Sequence, residues 1–161
     1  MQGIASRVAR SVTLLCGALV AVMVLIIIAD VASRNLLSIS VTSSAEIAIL
    51  LQIYITFLAA AVGVQRGLHF VIFSETGRYP PRLALLAALA VRATICLFAA
   101  FAGYFGLRLG FAQMTQLSAS LQIPYGYFYF ALPLGCALML FFALAEPLRP
   151  EKAGTSSLEV V

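Results

Sequence analysis

Four apolar runs, at about 11–29, 47–64, 83–107 and 127–145, fill most of the chain and decide its solvent before any other feature is read. A helix packed on a water-soluble core keeps a polar face toward water, and these runs have almost none. Each run approaches the roughly 20 apolar residues that a hydrocarbon core of about 30 Å demands, once its flanks are included. With 63% hydrophobic and 10% charged residues and a mean hydropathy of +1.06, the 161-residue chain leaves no room for a separate soluble domain. The expected fold is all-α and polytopic. Four transmembrane helices form one domain over residues 1–148, followed by a flexible cytoplasmic tail at 149–161.

Arg7 and Arg10 precede the first run in the manner of a secretory signal. The stretch Ser11 to Ala29 nevertheless exceeds the roughly 7–15 residues of a signal h-region, and no clear small-x-small cleavage site follows it. It reads as a retained helix. The net charge of +4 is no nucleic-acid footprint, because the basic residues are scattered at helix ends. Their pattern is topological. With the N-terminus in the cytoplasm, Arg7, Arg10, Arg66, Arg78, Arg82, Arg149 and Lys152 lie inside, against Arg34 and Arg108 outside. The positive-inside rule then places both termini in the cytoplasm. Cys16, Cys96 and Cys136 stand singly in apolar runs without CxxC or CxxxH spacing, and read as small buried hydrophobes.

Along the chain, helix 1 is expected from about Ser11 to Ser33, with Asp30 and Arg34 one turn apart at its outer end. Ser43 and Glu46 fit a capping box opening helix 2, which runs to about Gln65. The segment Arg66 to Pro81 is too short to span and mixes apolar with charged residues, so it suits a stretch lying in the cytoplasmic interface. Helix 3, from about Arg82 to Gly110, exceeds the bilayer thickness and should tilt or project. A polar, uncharged linker from Gln113 to Gln122 leads to helix 4. That helix opens on Pro124 and an aromatic belt of Tyr125, Tyr127, Phe128, Tyr129 and Phe130, is kinked by Pro133, and ends at Glu146-Pro147. No internal repeat suggests an inverted-repeat transporter.

Arg92 is the one basic residue well inside an apolar run, about 15 Å deeper than Arg82. It is expected to snorkel to the cytoplasmic headgroups or to pair with another subunit; a substrate or proton pathway is the costlier reading. Asp30, Arg34, Glu46 and Arg108 fall near the outer rim, as an ion-pair network tying helix ends together, a contact surface, or both. His69 is the single histidine, so neither a bis-histidine haem nor a chain-internal zinc site can be built without a partner supplying ligands. It reads as a loop anchor or a contact to lipid phosphate. The pairs Gly63/Gly67, Ala99/Gly103 and Gly106/Gly110 have small-xxx-small spacing and are expected to receive another membrane protein. There is no nucleophile with a paired base, no phosphate-cradling loop and no metal cluster, so no catalysis, cofactor or substrate site is expected.

The order of landmarks carries a resemblance. Asp30-x-x-x-Arg34-Asn35 ends helix 1, and Glu46 opens helix 2, which closes on AAAVGVQRGLHF with Arg66, Gly67 and His69. IPYGYFYFALPLG then opens helix 4 with Ile123, Pro124, Pro133 and Gly135. Over roughly residues 10–148 the chain resembles the small membrane subunit of tripartite ATP-independent periplasmic (TRAP) transporters. It departs in having no tryptophan, with Tyr54 in the helix where the family often carries one, and in reading Leu58-Ala59-Ala60 where Leu-Gly-Ala is common. The resemblance implies a bacterial inner-membrane protein with two partners, a large permease subunit and a periplasmic substrate-binding protein that delivers an organic acid. It also implies sodium-driven, elevator-type transport in the large subunit. The small subunit would then be a static scaffold, a compact apolar bundle without substrate or sodium sites.

Two other readings compete. A self-contained four-helix drug/proton antiporter needs a membrane-embedded acid in the first helix, and Asp30 lies close to its outer end. A respiratory-complex anchor needs paired haem histidines, and there is one histidine.

Overall fold

In lipid a backbone must satisfy its own polar groups, so apolar runs of this length become helices. The computed structural model describes residues 2–37, 43–66 and 81–145. They form α1 (Gln2–Leu37), α2 (Ser43–Gln65), α3 (Pro81–Ala112), a 3-10 turn at Gln113–Thr115, α4 (Gly126–Tyr129) and α5 (Ala131–Ala145). Four helical stretches are long and apolar enough to cross a membrane, α4 and α5 together making the fourth. The expected interfacial segment between the second and third helices, and the expected tail, lie outside the described residues.

The fourth span is interrupted at Phe130, one turn before Pro133. Proline has no N–H to give Tyr129, and the ladder resumes with Leu134 N–H donating to the Phe130 carbonyl at 3.3 Å. The first helix is longer than its apolar run, reaching back to Gln2 and on to Leu37. Apolarity marks where lipid begins, whereas the hydrogen-bond ladder continues past it. Ala5 and Ala9 are fully or almost fully buried in one cluster with Ala61, Val64, Phe142 and Ala143, so the extension is packed on its neighbours. At 1.5 Å per residue α1 is about 54 Å long and α3 about 48 Å, well beyond the hydrocarbon thickness.

The spans stand in a row rather than closing into the compact bundle expected from sequence. Helix α1 packs beside α2, α2 beside α5, and α5 beside α3, with α1 and α3 at the two ends. Each end helix is covered on one flank only. Leu14, Leu25 and Leu36 of α1, and Leu97, Phe98 and Phe101 of α3, are all more than 60% exposed to the surroundings of the chain.

Small residues set the spacing inside the row. A Cβ built on Gly135 would lie 2.6 Å from Phe57 Cβ and 2.9 Å from the Phe57 carbonyl oxygen, so α5 presses directly on the α2 backbone. The small pairs on α3 are used the same way. Ala99 is buried, Gly103 faces Cys136, Gly106 faces Leu132 and Pro133, and Gly110 faces the Phe130 ring. They receive the chain's own fourth span and not another protein, which corrects the sequence expectation. Of Gly63/Gly67, the second residue lies outside the described residues.

Candidate functional site

Apart from Arg92, the charged side chains of the described residues gather near the two ends of the helices. At one end α1 finishes, α2 begins, α3 finishes and α4 begins. Here stand Asp30 and Glu46, the only carboxylates among the described residues.

Glu46 organises this rim. Its position in the first turn of α2 favours a negative charge through the helix dipole. The carboxylate does not turn back on its own helix as a capping box would. It reaches the loop after α3, more than 70 residues away in sequence. Ser118 Oγ donates to Oε2 at 2.5 Å, the Leu121 amide donates to Oε2 at 2.9 Å, and the Ser120 amide donates to Oε1 at 3.0 Å. The loop folds so that these donors converge. Ser118 N–H bonds to the Ile123 carbonyl and Tyr125 N–H to the Gln116 carbonyl, both at 2.9 Å, which closes a tight excursion. Gln122 takes a positive φ of 55° to complete it, and its amide group donates to the Ala119 carbonyl at 3.2 Å. Non-glycine residues adopt that conformation rarely and at a cost that surrounding contacts must offset. Ser118 is 1% exposed, so its hydroxyl is held inside the structure.

A second tie lies beside this one. Helix α4 has four residues, so although the Phe130 N–H donates to the Gly126 carbonyl at 3.0 Å, the carbonyls after Gly126 have no donor inside the helix. The Tyr54 hydroxyl of α2 donates to the Tyr127 carbonyl at 2.9 Å. The aromatic belt divides accordingly: Tyr125 and Tyr127 face outward, whereas Phe128 is buried and Phe130 packs edge-on against Phe111 at 5.3 Å. Tyr54→Phe should lower stability by about 1 kcal/mol, because it strands a carbonyl that α4 cannot satisfy itself. Unfolding of the variant in mixed micelles, compared with the parent, checks this.

The ion-pair network expected at this rim resolves into separate pieces. Asp30 and Arg34 form a pair at 2.8 Å, with the aspartate 13% and the arginine 52% exposed. Asp30 Oδ1 is buried and has no hydrogen-bond partner among the described residues. Glu46 belongs to the loop clamp. Arg108 is exposed on α3 and is in no ion pair among the described residues. At the opposite end Arg66 is exposed, its Nη2 lying 3.5 Å from Thr13 Oγ1 of α1. Gly67 and His69 lie outside the described residues. Arg92 is half-buried midway along α3. Pro133 and Gly135 are packing residues, the first against Gly106 and the second against Phe57.

Sequence reasoning missed Ser118, Ser120, Leu121 and the bonding role of Tyr54. The available signal was a polar, uncharged linker together with a carboxylate lacking any cation near it in sequence. Among the described residues no group of three His, Cys, Asp or Glu side chains is placed to hold a metal ion. What this rim can do chemically is bind and hold: the Glu46 carboxylate is matched to three donors of the loop between α3 and α4, while Asp30 Oδ1 and Gln113 Oε1 are buried without a hydrogen-bond partner among the described residues.

Compared with known families, residues 23–152 match tripartite ATP-independent periplasmic transporters, DctQ component. The match takes in about four-fifths of the chain, from the middle of α1 through α5. No curated protein matches the chain significantly. DctQ components function with a large permease and a periplasmic binding protein in TRAP systems. A multi-pass helical chain with this match belongs to the DctQ family, the small permease component of TRAP transporters.

Proposed function

We propose that the chain is a non-catalytic scaffold subunit of a sodium-coupled TRAP transporter. It lies in the bacterial inner membrane with both termini cytoplasmic. The transported solute is an organic acid delivered by the periplasmic binding protein, and the large subunit moves it by an elevator mechanism. The small subunit steadies the part of the large subunit that stays still. The family match carries this reading.

Physical features of the chain support the scaffold role. An elevator needs a membrane element that does not move with the cargo. Here the neighbours in the row pack closely at Gly135, against the α2 backbone, and at Gly106, against Leu132 and Pro133, and Glu46 ties the start of α2 to the loop between α3 and α4. The Glu46 oxygens are committed to the chain's own loop, and Asp30 pairs with Arg34. Glu46 is therefore not held out for a cargo or a coupling ion, and Asp30 is held by Arg34 through one of its two oxygens. The orientation rests on the excess of arginine and lysine at the Arg66 end of the sequence.

The purified chain, reconstituted alone into sodium-loaded or proton-loaded liposomes, is expected to give no solute flux above empty vesicles. Expressed with its large permease subunit, it should co-purify as a stable complex and support binding-protein-dependent, sodium-dependent uptake. Flux from the isolated chain that Asp30→Asn abolishes would replace the scaffold reading with that of a small antiporter.

A further inference from the structure

We propose that the Arg66 end of α1 and α2 carries a binding site for the phosphate of an anionic phospholipid, built by Arg10, Thr13 and Arg66 with Arg7 one turn farther along. The site is independent of the transport role proposed above, since it rests on the two helices themselves.

Sequence sets the level. The apolar run of α1 starts immediately after Arg10, and that of α2 stops immediately before Arg66. Both guanidinium groups therefore stand where hydrocarbon gives way to headgroups, whichever way the chain is inserted. Helix geometry then sets the stripe. Arg10 lies three residues before Thr13 and Arg7 three before Arg10, so each successive pair are neighbours on the surface of α1. Thr13 Oγ1 donates to the Ala9 carbonyl at 2.8 Å, which leaves its lone pairs for Arg66 Nη2 at 3.5 Å. That contact is at the long limit of a hydrogen bond, so it steers the guanidinium toward α1 and leaves its other N–H donors available. The stripe is held in register because Ala5 and Ala9 are buried in the cluster that contains Ala61 and Val64 of α2.

Charge decides the ligand. Arg7, Arg10 and Arg66 are exposed and in no ion pair among the described residues. The two carboxylates of the described residues stand at the other end, Asp30 being 20 residues along α1 from Arg10, or about 30 Å. Neighbouring guanidinium groups repel one another until an anion sits among them, and a phosphate offers several oxygens to their forked donors. A lipid fits better than free phosphate because the stripe continues into apolar surface. Leu14 and Leu15, 69% and 49% exposed, lie just beyond Thr13 where acyl chains would run.

Native mass spectrometry of the full-length chain in mild detergent tests the site, with phosphatidylglycerol and phosphatidylcholine as competing probes. The parent should retain phosphatidylglycerol in preference by on the order of tenfold. Arg10→Gln/Arg66→Gln should lose that preference, Arg10→Lys/Arg66→Lys should keep part of it, and Arg108→Gln, which removes a charge at the other end, should keep it all. Circular dichroism and a monodisperse elution profile establish that each chain is folded. Equal preference in Arg10→Gln/Arg66→Gln and the parent would overturn the proposal, as would an equal loss in Arg108→Gln. Displacement of the lipid by millimolar inorganic phosphate would also overturn it, marking the site as one for a free anion.

Discussion

A Gly135→Val chain is expected to lose its folded, monodisperse form in detergent under conditions where the parent survives. The added Cβ would meet Phe57 Cβ at 2.6 Å, the Phe57 carbonyl oxygen at 2.9 Å and its carbonyl carbon at 3.1 Å. Two of these three are backbone atoms of α2, so no rotamer change relieves the clash and the helices must part. Overpacking a core where side chains can adjust costs about 1–3 kcal/mol. Against a rigid backbone the cost lies at the upper end or beyond it, a large share of the roughly 5–15 kcal/mol that holds a domain together. The place matters as much as the amount. Helices α2 and α5 are the central pair, and parting them splits the row into α1–α2 and α5–α3 halves.

Gly106→Ala supplies the comparison. Its Cβ would meet Leu132 Cδ2 at 2.8 Å, Leu132 Cγ at 2.9 Å and Pro133 Cδ at 3.1 Å, all of them side-chain atoms. The leucine side chain can shift where a backbone cannot, so the loss should stay within about 1–3 kcal/mol. Thermal unfolding followed by size-exclusion chromatography ranks the two. Equal stability of Gly135→Val and Gly106→Ala would mean that α2 and α5 do not pack backbone to side as described.

The contrast shows why the spans were legible in the sequence and their neighbours were not. A span is a local property: about twenty apolar residues suffice, and all four were read with their approximate limits. Packing partners are not local. The spacing Gly106-x-x-x-Gly110 says that something approaches the α3 backbone closely, but it does not say what. The partners are Leu132, Pro133 and Phe130 of the same chain. Helix 1 is longer than the sequence suggests because apolarity marks only its lipid-facing part, and the alanines that bury the extension are silent in a hydropathy pattern. Tyr54 was visible only as the absence of a tryptophan, whereas its hydroxyl has a defined carbonyl partner in α4. Glu46 reads from the sequence as a rim residue. Its assigned partner, the start of its own helix, was the nearest plausible donor, and the true donors lie beyond the third span.

Glu46→Gln should therefore loosen the rim without unfolding the helices. A carboxamide keeps the shape but offers one acceptor oxygen, so its NH2 group must face a donor that the carboxylate now accepts. The Ser120 and Leu121 amides at 3.0 and 2.9 Å both need acceptors, and one of them loses its partner. Losing a hydrogen bond to a charged group predicts faster amide exchange at whichever of Ser120 and Leu121 faces the NH2 group. Exchange in the middle of α2 and α5 should stay as in the parent, since Phe57 and Gly135 hold them independently. Glu46→Lys goes further, placing a donor and a positive charge against three donors. In the assembled transporter this reversal should weaken subunit assembly or coupling to the binding protein several-fold while leaving the sodium dependence of uptake unchanged. A scaffold holds the geometry of others and binds no coupling ion, so its failure appears in assembly first. An altered sodium stoichiometry in Glu46→Lys would place the ion's path in this subunit, and unchanged exchange at Ser120 and Leu121 in Glu46→Gln would remove the clamp itself.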